Sequence, residues 1–292
     1  MNTHILIAGA GIGGLGAALA LAQIGLKITV LEQSDVFGEV GAGVQISPNA
    51  YKVLCDWGLA DVLKQTANFP EKTQVRNAAS GKLLGQLELG NKARRRYGYP
   101  FATIHRADLH TLLLNAVRQL PNVELHLYAK VSHIRSEIIE SNQLVTVKTE
   151  AGETFIADAL IGADGVRSRV RQHVLGDSEP RPTGHTAWRA LLPMADAPPE
   201  LQQDQVTAWL APDSHTIAYP VQQGKSLNLV YCAENSDQID LQPAYLLPKA
   251  LSKVLQKPFE LATKSNAWTR WDLFDRPPLA SSAEMLNPAH PR

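Results

Sequence analysis

Apolar residues fall along this chain in short runs whose rhythm changes from one region to the next. His4 to Ala8 is an apolar, isoleucine-rich run, the pattern of a buried strand in a parallel sheet. Leu15 to Ile24 is rich in Ala and Leu and predicts a helix, with Gly25 where a C-terminal cap would sit. Lys27 to Leu31 is a second, β-branched strand, and Glu32 follows it directly. Further on, Ala50 to Trp57 predicts a helix that Ser47 or Asn49 could cap. Thr73 to Leu89 predicts two strands around a Ser80-Gly81 turn. An amphipathic helix is expected from Ile104 to about Gln119, stopped by Pro121. Val123 to Ile134 and Leu144 to Thr149 read as strands, followed by a turn at Gly152. Ala159 to Ala163 reads as a buried strand ending at Asp164-Gly165. From Thr183 the pattern becomes alternating, over Thr183 to Leu192, Gln205 to Ala211, Ser214 to Val221 and Ser226 to Ala233. That alternation predicts an antiparallel sheet with one covered face. The fold class expected is α/β, a parallel-sheet region followed by a sheet-rich region.

Ile5 to Leu26 carries no charge and is long enough to span a bilayer. No Lys or Arg precedes it, and six glycines interrupt it (Gly9, Gly11, Gly13, Gly14, Gly16 and Gly25), which argues against a membrane span or an export signal. The 292 residues allow about two domains. With 28 basic and 28 acidic side chains the chain has no net field to draw it to nucleic acid or an anionic membrane. Cys55 and Cys232 are too far apart in sequence for a CxxC motif and exclude a disulfide framework, which fits a cytoplasmic setting. No metal site is expected. Four basic residues between Lys92 and Arg96 read as a solvated loop.

The order of the first 32 residues is strand, glycine turn, helix, strand, acid. In Gly9-Ala-Gly11-Ile-Gly-Gly14 the first glycine allows a tight turn, Gly11 lets backbone approach a pyrophosphate, and Gly14 lets the helix pack close to the sheet. The helix N-terminus offers unbonded N–H groups to phosphates. Glu32 can accept bonds from an adenosine ribose and would repel a 2′-phosphate, so FAD or NAD is expected here rather than NADP. The fingerprint alone does not separate FAD from NAD. A second glycine-rich stretch, Gly41-Ala-Gly43-Val44-Gln45, either approaches a flat ligand or is an ordinary loop. Arg106 near a helix start either binds phosphate or pairs with Asp108. Asp164 ends a strand at the rim where ligands bind in open α/β sheets, or caps the next helix; the two are compatible.

Taken together, Gly9 to Gly14 with Glu32, Gly41 to Ala50, Arg106 in His-Arg-Ala-Asp-Leu, and Gly162-Ala-Asp164-Gly165-Val-Arg-Ser168-Arg-Val-Arg171 resemble the FAD-dependent aromatic hydroxylases. These are the monooxygenases of salicylate, 3-hydroxybenzoate and 6-hydroxynicotinate. The likeness runs from residue 3 to about 279. It implies a Rossmann-like FAD-binding domain and an antiparallel-sheet substrate domain. It implies FAD as cofactor, NADH or NADPH as co-substrate, and a small aromatic partner. By the same likeness Glu32 binds the ribose, Arg106 lies at the phosphate region, Val131 lies near the adenine, and Gly43, Val44 and Gln45 approach the flavin. Asp164 and Gly165 match a motif associated with both FAD and the nicotinamide cofactor. The implied layout is a FAD-binding domain over 1–72 and 101–180, a hairpin insertion over 73–100, a substrate domain over 181–276 and an aberrant tail over 277–292.

His215, Ile217, Tyr219 and Val221 share a strand face by the two-residue period. For a lone strand histidine a structural role is the ordinary reading. The family carries a histidine and a tyrosine at this spacing, which makes His215 and Tyr219 the catalytic candidates. His215 would take or share the proton of a substrate phenol, and Tyr219 would orient the substrate oxygen. After Trp268 to Arg276 the family continues into Gly-Asp-Ala-Ala-His-Pro, where this chain has Ser281 to Pro288 instead. The expectation is a truncated or frameshifted member with weak FAD binding. The alternatives are an inactive remnant or another FAD oxidoreductase of this fold, an epoxidase or reductase.

Overall fold

The structure is a computed structural model and describes residues 3–38, 41–139, 142–176, 179–234 and 252–278. The tail replacing the Gly-Asp motif lies outside the described residues. In chain order the first elements are β1 (His4–Ala8), α1 (Ile12–Gln23), β2 (Lys27–Leu31), β3 (Gly43–Ile46), α2 (Pro48–Asp56) and α3 (Ala60–Thr66). Then come β4 (Lys72–Asn77), β5 (Leu83–Glu88), α4 (Gly90–Tyr97), β6 (Ala102–His105) and α5 (Arg106–Arg118). Strands β7 (Val123–His126), β8 (Val131–Ile139), β9 (Asn142–Thr149), β10 (Thr154–Ala157) and β11 (Ala159–Gly162) lead to α6 (Arg169–Leu175). The last elements are β12 (Arg181–Pro193), β13 (Gln205–Ala211), β14 (Ser214–Val221), β15 (Ser226–Glu234), α7 (Lys253–Lys264) and β16 (Thr269–Asp275).

The chain packs as two compact units. Met1–Glu39, Leu109–Arg181 and Phe274–Arg292 form the first, and Val40–Asp108 with Pro182–Leu273 form the second. In the first unit β11, β1, β2 and β7 form a parallel sheet in that order. Leu6 and Ile7 are neighbours on opposite faces of β1, and both are fully buried, so the central strand is covered on both sides. Helix α1 lays a stripe of small and apolar residues inward: Gly14, Leu15, Ala18, Leu19 and Ala22. It starts at Ile12, three residues before the Ala/Leu run, because the Leu15 N–H already bonds to the Gly11 carbonyl. A second, antiparallel sheet of β10, β9 and β8 contributes Val131, Ile134, Val145 and Val147 to an apolar cluster with Leu6, Ala8 and Leu31. The expected strand from Val123 to Ile134 is broken into β7 and β8, with Tyr128 at φ 57° in the turn. The expectation of a buried β11 is corrected: Ala159 and Gly162 are exposed, since among the described residues β11 is the edge of its sheet.

The second unit is built on a seven-stranded sheet ordered β16-β12-β15-β14-β13-β4-β5. The alternating segments form β12 to β15 with nearly the expected bounds. The β4–β5 hairpin joins the same sheet, but β4 runs parallel to β13, so the sheet is mixed rather than wholly antiparallel. A parallel pair needs a long connection, which the chain between β4 and β13 supplies. Leu255, Phe259 and Ala262 of α7 bury one face together with Ala190, Leu192, Trp209, Ala218, Leu229 and Tyr231. Tyr219 and Val221 lie on the other face and pack with Val206, Ile217 and Phe101. Ile104 and His105, expected in a helix, end strand β6, and α5 begins at Arg106. The basic stretch at 92–96 is helix α4 rather than a loop. Gly98 closes it in a left-handed cap, and its last-turn arginines suit the negative end of the helix. A concavity of about 330 Å³ on this helix, lined by Asn91, Arg94 and Arg95, contains none of the candidate residues.

Candidate active site

In the first unit the glycine turn is built as its sequence demands. Gly9 has φ +100°, and a Cβ there would stand 2.5 Å from the Ala163 carbonyl oxygen. A Cβ on Gly14 would overlap the Gly9 carbonyl, so the first turn of α1 sits directly on the end of β1. Gly11 is the N-cap residue of α1 with ordinary extended backbone, φ −68°. Glu32, half-buried at the end of β2, is fixed by two backbone donors. The Ala10 N–H donates to Oε2 at 2.7 Å and the Ser34 N–H to Oε1 at 2.9 Å. Each oxygen keeps a further lone pair. At the other end of the same residue, buried His110 bonds through Nε2 to the Ala10 carbonyl at 2.8 Å. An acceptor carbonyl requires that Nε2 carry the proton. Ala10 is therefore held at its N–H by the acid after β2 and at its carbonyl by an imidazole from α5.

Val131 is buried in the apolar cluster that includes Leu31. Asp164 follows β11 and spends its carboxylate on α6. Ser168 Oγ donates to Oδ1 at 2.5 Å, and the N–H groups of Arg169 and Val170 donate to Oδ2 at 2.7 and 3.1 Å. Ser168 itself accepts from the Arg171 N–H at 2.9 Å as a side-chain cap. Gly165 has φ +78°, a conformation glycine adopts freely.

In the second unit β3 pairs only with β6 among the described residues, opposing Val44 to Ile104 and Gln45 to Thr103. Ser47 is the N-cap residue of α2, but its hydroxyl bonds to Asn49 Oδ1 rather than to backbone. His105 Nε2 bonds to the Gly41 carbonyl at 2.8 Å. The Arg106 side-chain stem crosses Gly41, where a Cβ would come within 3.0 Å of Cδ. Within the 41–45 stretch, Gly43 is the more tightly covered of the two glycines. A Cβ there would lie 2.5 Å from Tyr219 Cε2 and 2.9 Å from Val221 Cγ1, and its N–H donates to Asn228 Oδ1 at 2.6 Å. The stretch expected at the flavin thus rests on the tyrosine expected at the substrate.

His215 and Tyr219 share a face of β14, about 13 Å apart along the strand. His215 is exposed and Tyr219 is 4% exposed. Burial pushes the Tyr219 hydroxyl far above the ordinary phenol range, against a smaller opposing pull from Arg189. Tyr219 therefore stays protonated at neutral pH and well above it. The register aligns two more polar residues on this face. Asn228 stands opposite Tyr219, and Arg189 stands opposite Val230, which faces Ile217.

Residues 2–270 match the family described as FAD binding domain. The chain is 38% identical over 286 residues to 3-hydroxybenzoate 6-hydroxylase 1 of Aquipseudomonas alcaligenes, covering 96% of this chain and 71% of that protein. It is 32% identical over 288 residues to 6-hydroxynicotinate 3-monooxygenase of Pseudomonas fluorescens, covering 95% and 72%. This chain belongs to the FAD-binding aromatic monooxygenases. The HpxO protein of Klebsiella pneumoniae, solved with FAD and uric acid, matches its fold at a TM-score of 0.80 and 24% identity, over 95% of this chain and 69% of that one.

As a member of this family, the chain distributes its sequence-predicted residues between its units. Gly9, Gly11, Gly14, Glu32, Val131, Asp164 and Gly165 lie in the first; Gly43, Val44, Gln45, Arg106, His215 and Tyr219 lie in the second. The sequence reading missed His110, Arg189 and Asn228. His110 falls on the buried stripe of α5, but nothing in its spacing says that the ring reaches Ala10. Arg189 and Asn228 follow the two-residue period of β12 and β15. Only strand register reveals that they share the face of Tyr219.

Proposed function

We propose that this protein hydroxylates a small phenolic or hydroxybenzoate-like aromatic compound, using FAD, O2 and NADH or NADPH. The observation that carries this reading is the contact of Gly43 with Tyr219, which joins the loop assigned to the flavin to the residue assigned to the substrate oxygen. The FAD assignment is supported by a turn that only glycine tolerates at residue 9 and by a carboxylate pinned beside it. In this reading Glu32 holds the ribose, the start of α1 faces the diphosphate, Arg106 lies toward the phosphates, and Val131 toward the adenine. The FAD-binding domain then comprises 1–72 and 101–180, with the hairpin 73–100 inserted and 181–276 as the substrate domain. Reduced FAD with O2 supplies the electrophilic oxygen atom.

The protein's own contribution at the ring is proton control. His215 shares the phenol proton through a hydrogen bond and so enriches the ring in electrons. Tyr219, protonated, donates to the resulting oxygen. The deciding experiment measures flavin absorbance of the purified protein, then NADH or NADPH oxidation and O2 uptake with a panel of aromatic acids and phenols. Product formation that requires a phenolic ring, and that falls in His215→Ala, supports the reading. Failure to take up added FAD, or O2 uptake indifferent to aromatic compounds, overturns it.

A further inference from the structure

His110 is 3% exposed and lies on the inner stripe of α5, whose other buried residues, Leu109, Leu113, Leu114 and Val117, are all apolar. Its Nε2–H donates to the Ala10 carbonyl at 2.8 Å. That carbonyl belongs to the peptide joining Ala10 to Gly11. A trans peptide is planar, with its C=O and N–H pointing opposite ways. Fixing the oxygen on His110 therefore fixes the direction of the Gly11 N–H, which faces away from the imidazole. Exposure follows the same order, since Ala10 is 2% exposed and Gly11 is half-buried.

Such a restraint matters at this position. A peptide plane turns over when the ψ of the residue before it and the φ of the residue after it change together. Gly11, with no Cβ, permits that rotation at little cost, and its extended backbone at φ −68° does not by itself forbid it. The preceding plane, between Gly9 and Ala10, is held separately by Glu32 through the Ala10 N–H at 2.7 Å. Each plane between the first two glycines of the turn thus has one side chain that stops it turning. Gly11 is the N-cap residue of α1, so its N–H stands beside those of the first helical turn, the donors that bind phosphates. Taking the FAD reading as its basis, we propose that His110 is a positioning residue for the cofactor's diphosphate, holding the Ala10–Gly11 peptide so that the Gly11 N–H is presented to a phosphate oxygen. The ring acts through the peptide and not by touching the cofactor. A donor on the carbonyl also strengthens the N–H at the other end of the group, because hydrogen bonds in a chain polarise one another.

The test compares ADP, which carries the diphosphate, with adenosine, which does not, by calorimetry on the full chain in wild type, His110→Leu and His110→Gln. Leucine fills the space without a donor, whereas glutamine carries an N–H the same number of bonds from Cα as Nε2. His110→Leu is expected to lose roughly 10- to 100-fold of the wild-type affinity for ADP, the size of a hydrogen bond to a charged group. Adenosine binds both proteins alike, and His110→Gln regains most of the loss. In wild type, NMR of the labelled protein shows the Gly11 amide proton moving downfield as ADP is added, a measurement that decides even where His110→Leu does not fold. Equal loss of ADP and adenosine would mean that the ring only supports the fold, and it overturns the proposal. So does unchanged ADP affinity in His110→Leu, a His110→Gln protein as weak as His110→Leu, or a Gly11 amide that ADP leaves unmoved. Each of these leaves the FAD reading standing. Failure of wild type to bind ADP or FAD overturns both.

Discussion

Gly43→Ala isolates the contact on which the functional reading turns. The backbone there needs no glycine for its torsions, so the whole effect of the added methyl is steric. The new Cβ would stand 2.5 Å from Tyr219 Cε2, 2.9 Å from Val221 Cγ1 and 3.0 Å from the Tyr219 hydroxyl. All three belong to buried residues of a strand that is hydrogen-bonded on both sides, so the strand yields little. Overpacking of this kind costs about 1–3 kcal/mol. If β3 retreats instead, the bond from Gly43 N–H to Asn228 is lost, at about 0.5–1.5 kcal/mol. A central cost of ~2 kcal/mol lowers the melting temperature by about 4–8 °C. Thermal and urea denaturation of Gly43→Ala, Tyr219→Ala and the double variant read this as a cycle. Most of the Gly43→Ala cost should vanish once the ring is gone. A Gly43→Ala protein as stable as wild type, or a cost that persists undiminished without Tyr219, refutes the packing of this loop on the tyrosine.

Four further outcomes are expected. Glu32→Gln replaces one acceptor oxygen by a donor, leaving Ala10 or Ser34 unpaired; it should weaken FAD binding more than tenfold in a flavin fluorescence titration, with ~1–3 kcal/mol of stability lost as well. Tyr219 holds its proton more tightly when folded than its unfolded value of 10.0, so the stability it lends is intact below that pH and declines as the pH rises beyond it. Urea titrations across that range should show a shallower decline for Tyr219→Phe, with residual slope from Tyr51, Tyr231, Cys55 and Cys232, whose hydroxyls and thiols burial also raises. Gly13→Ala should stabilise the chain by up to ~1 kcal/mol in a melting experiment, since nothing lies within 4 Å of its added Cβ in a helix. Gly9→Ala, strained and clashing, should do the reverse.

The amino-end motif and the late strands were legible because their signals are local. The run from His4 to Glu32 declares its own order, and the alternation in β13 and β14 gives both their bounds and their faces. What stayed hidden depends on pairing across the chain. No window around Lys72 reveals that β4 will lie parallel to β13. The charges of α4 masked a helix that forms because arginine is a good helix former and Gly98 ends it cleanly. Arg189 looked like one more charge in a strand until register set it against Val230 and Ile217. His110 lies in a helix that the sequence predicts, yet its bond to Ala10 links positions that only the tertiary fold brings together.

The parallel join of β4 and β13 also governs how the polypeptide is born. Thr73 meets Val206 in that ladder, so the second unit cannot complete its sheet until the ribosome has delivered β13 and its neighbours. Throughout that interval the β4–β5 hairpin waits with an open edge, Leu83, Leu84 and Leu87 facing solvent even in the finished structure. Long-range pairing of this sort is slow, and open edges invite misassociation. Yield from a cell should therefore rise when translation is slowed by cold or when chaperones that bind nascent chains are plentiful.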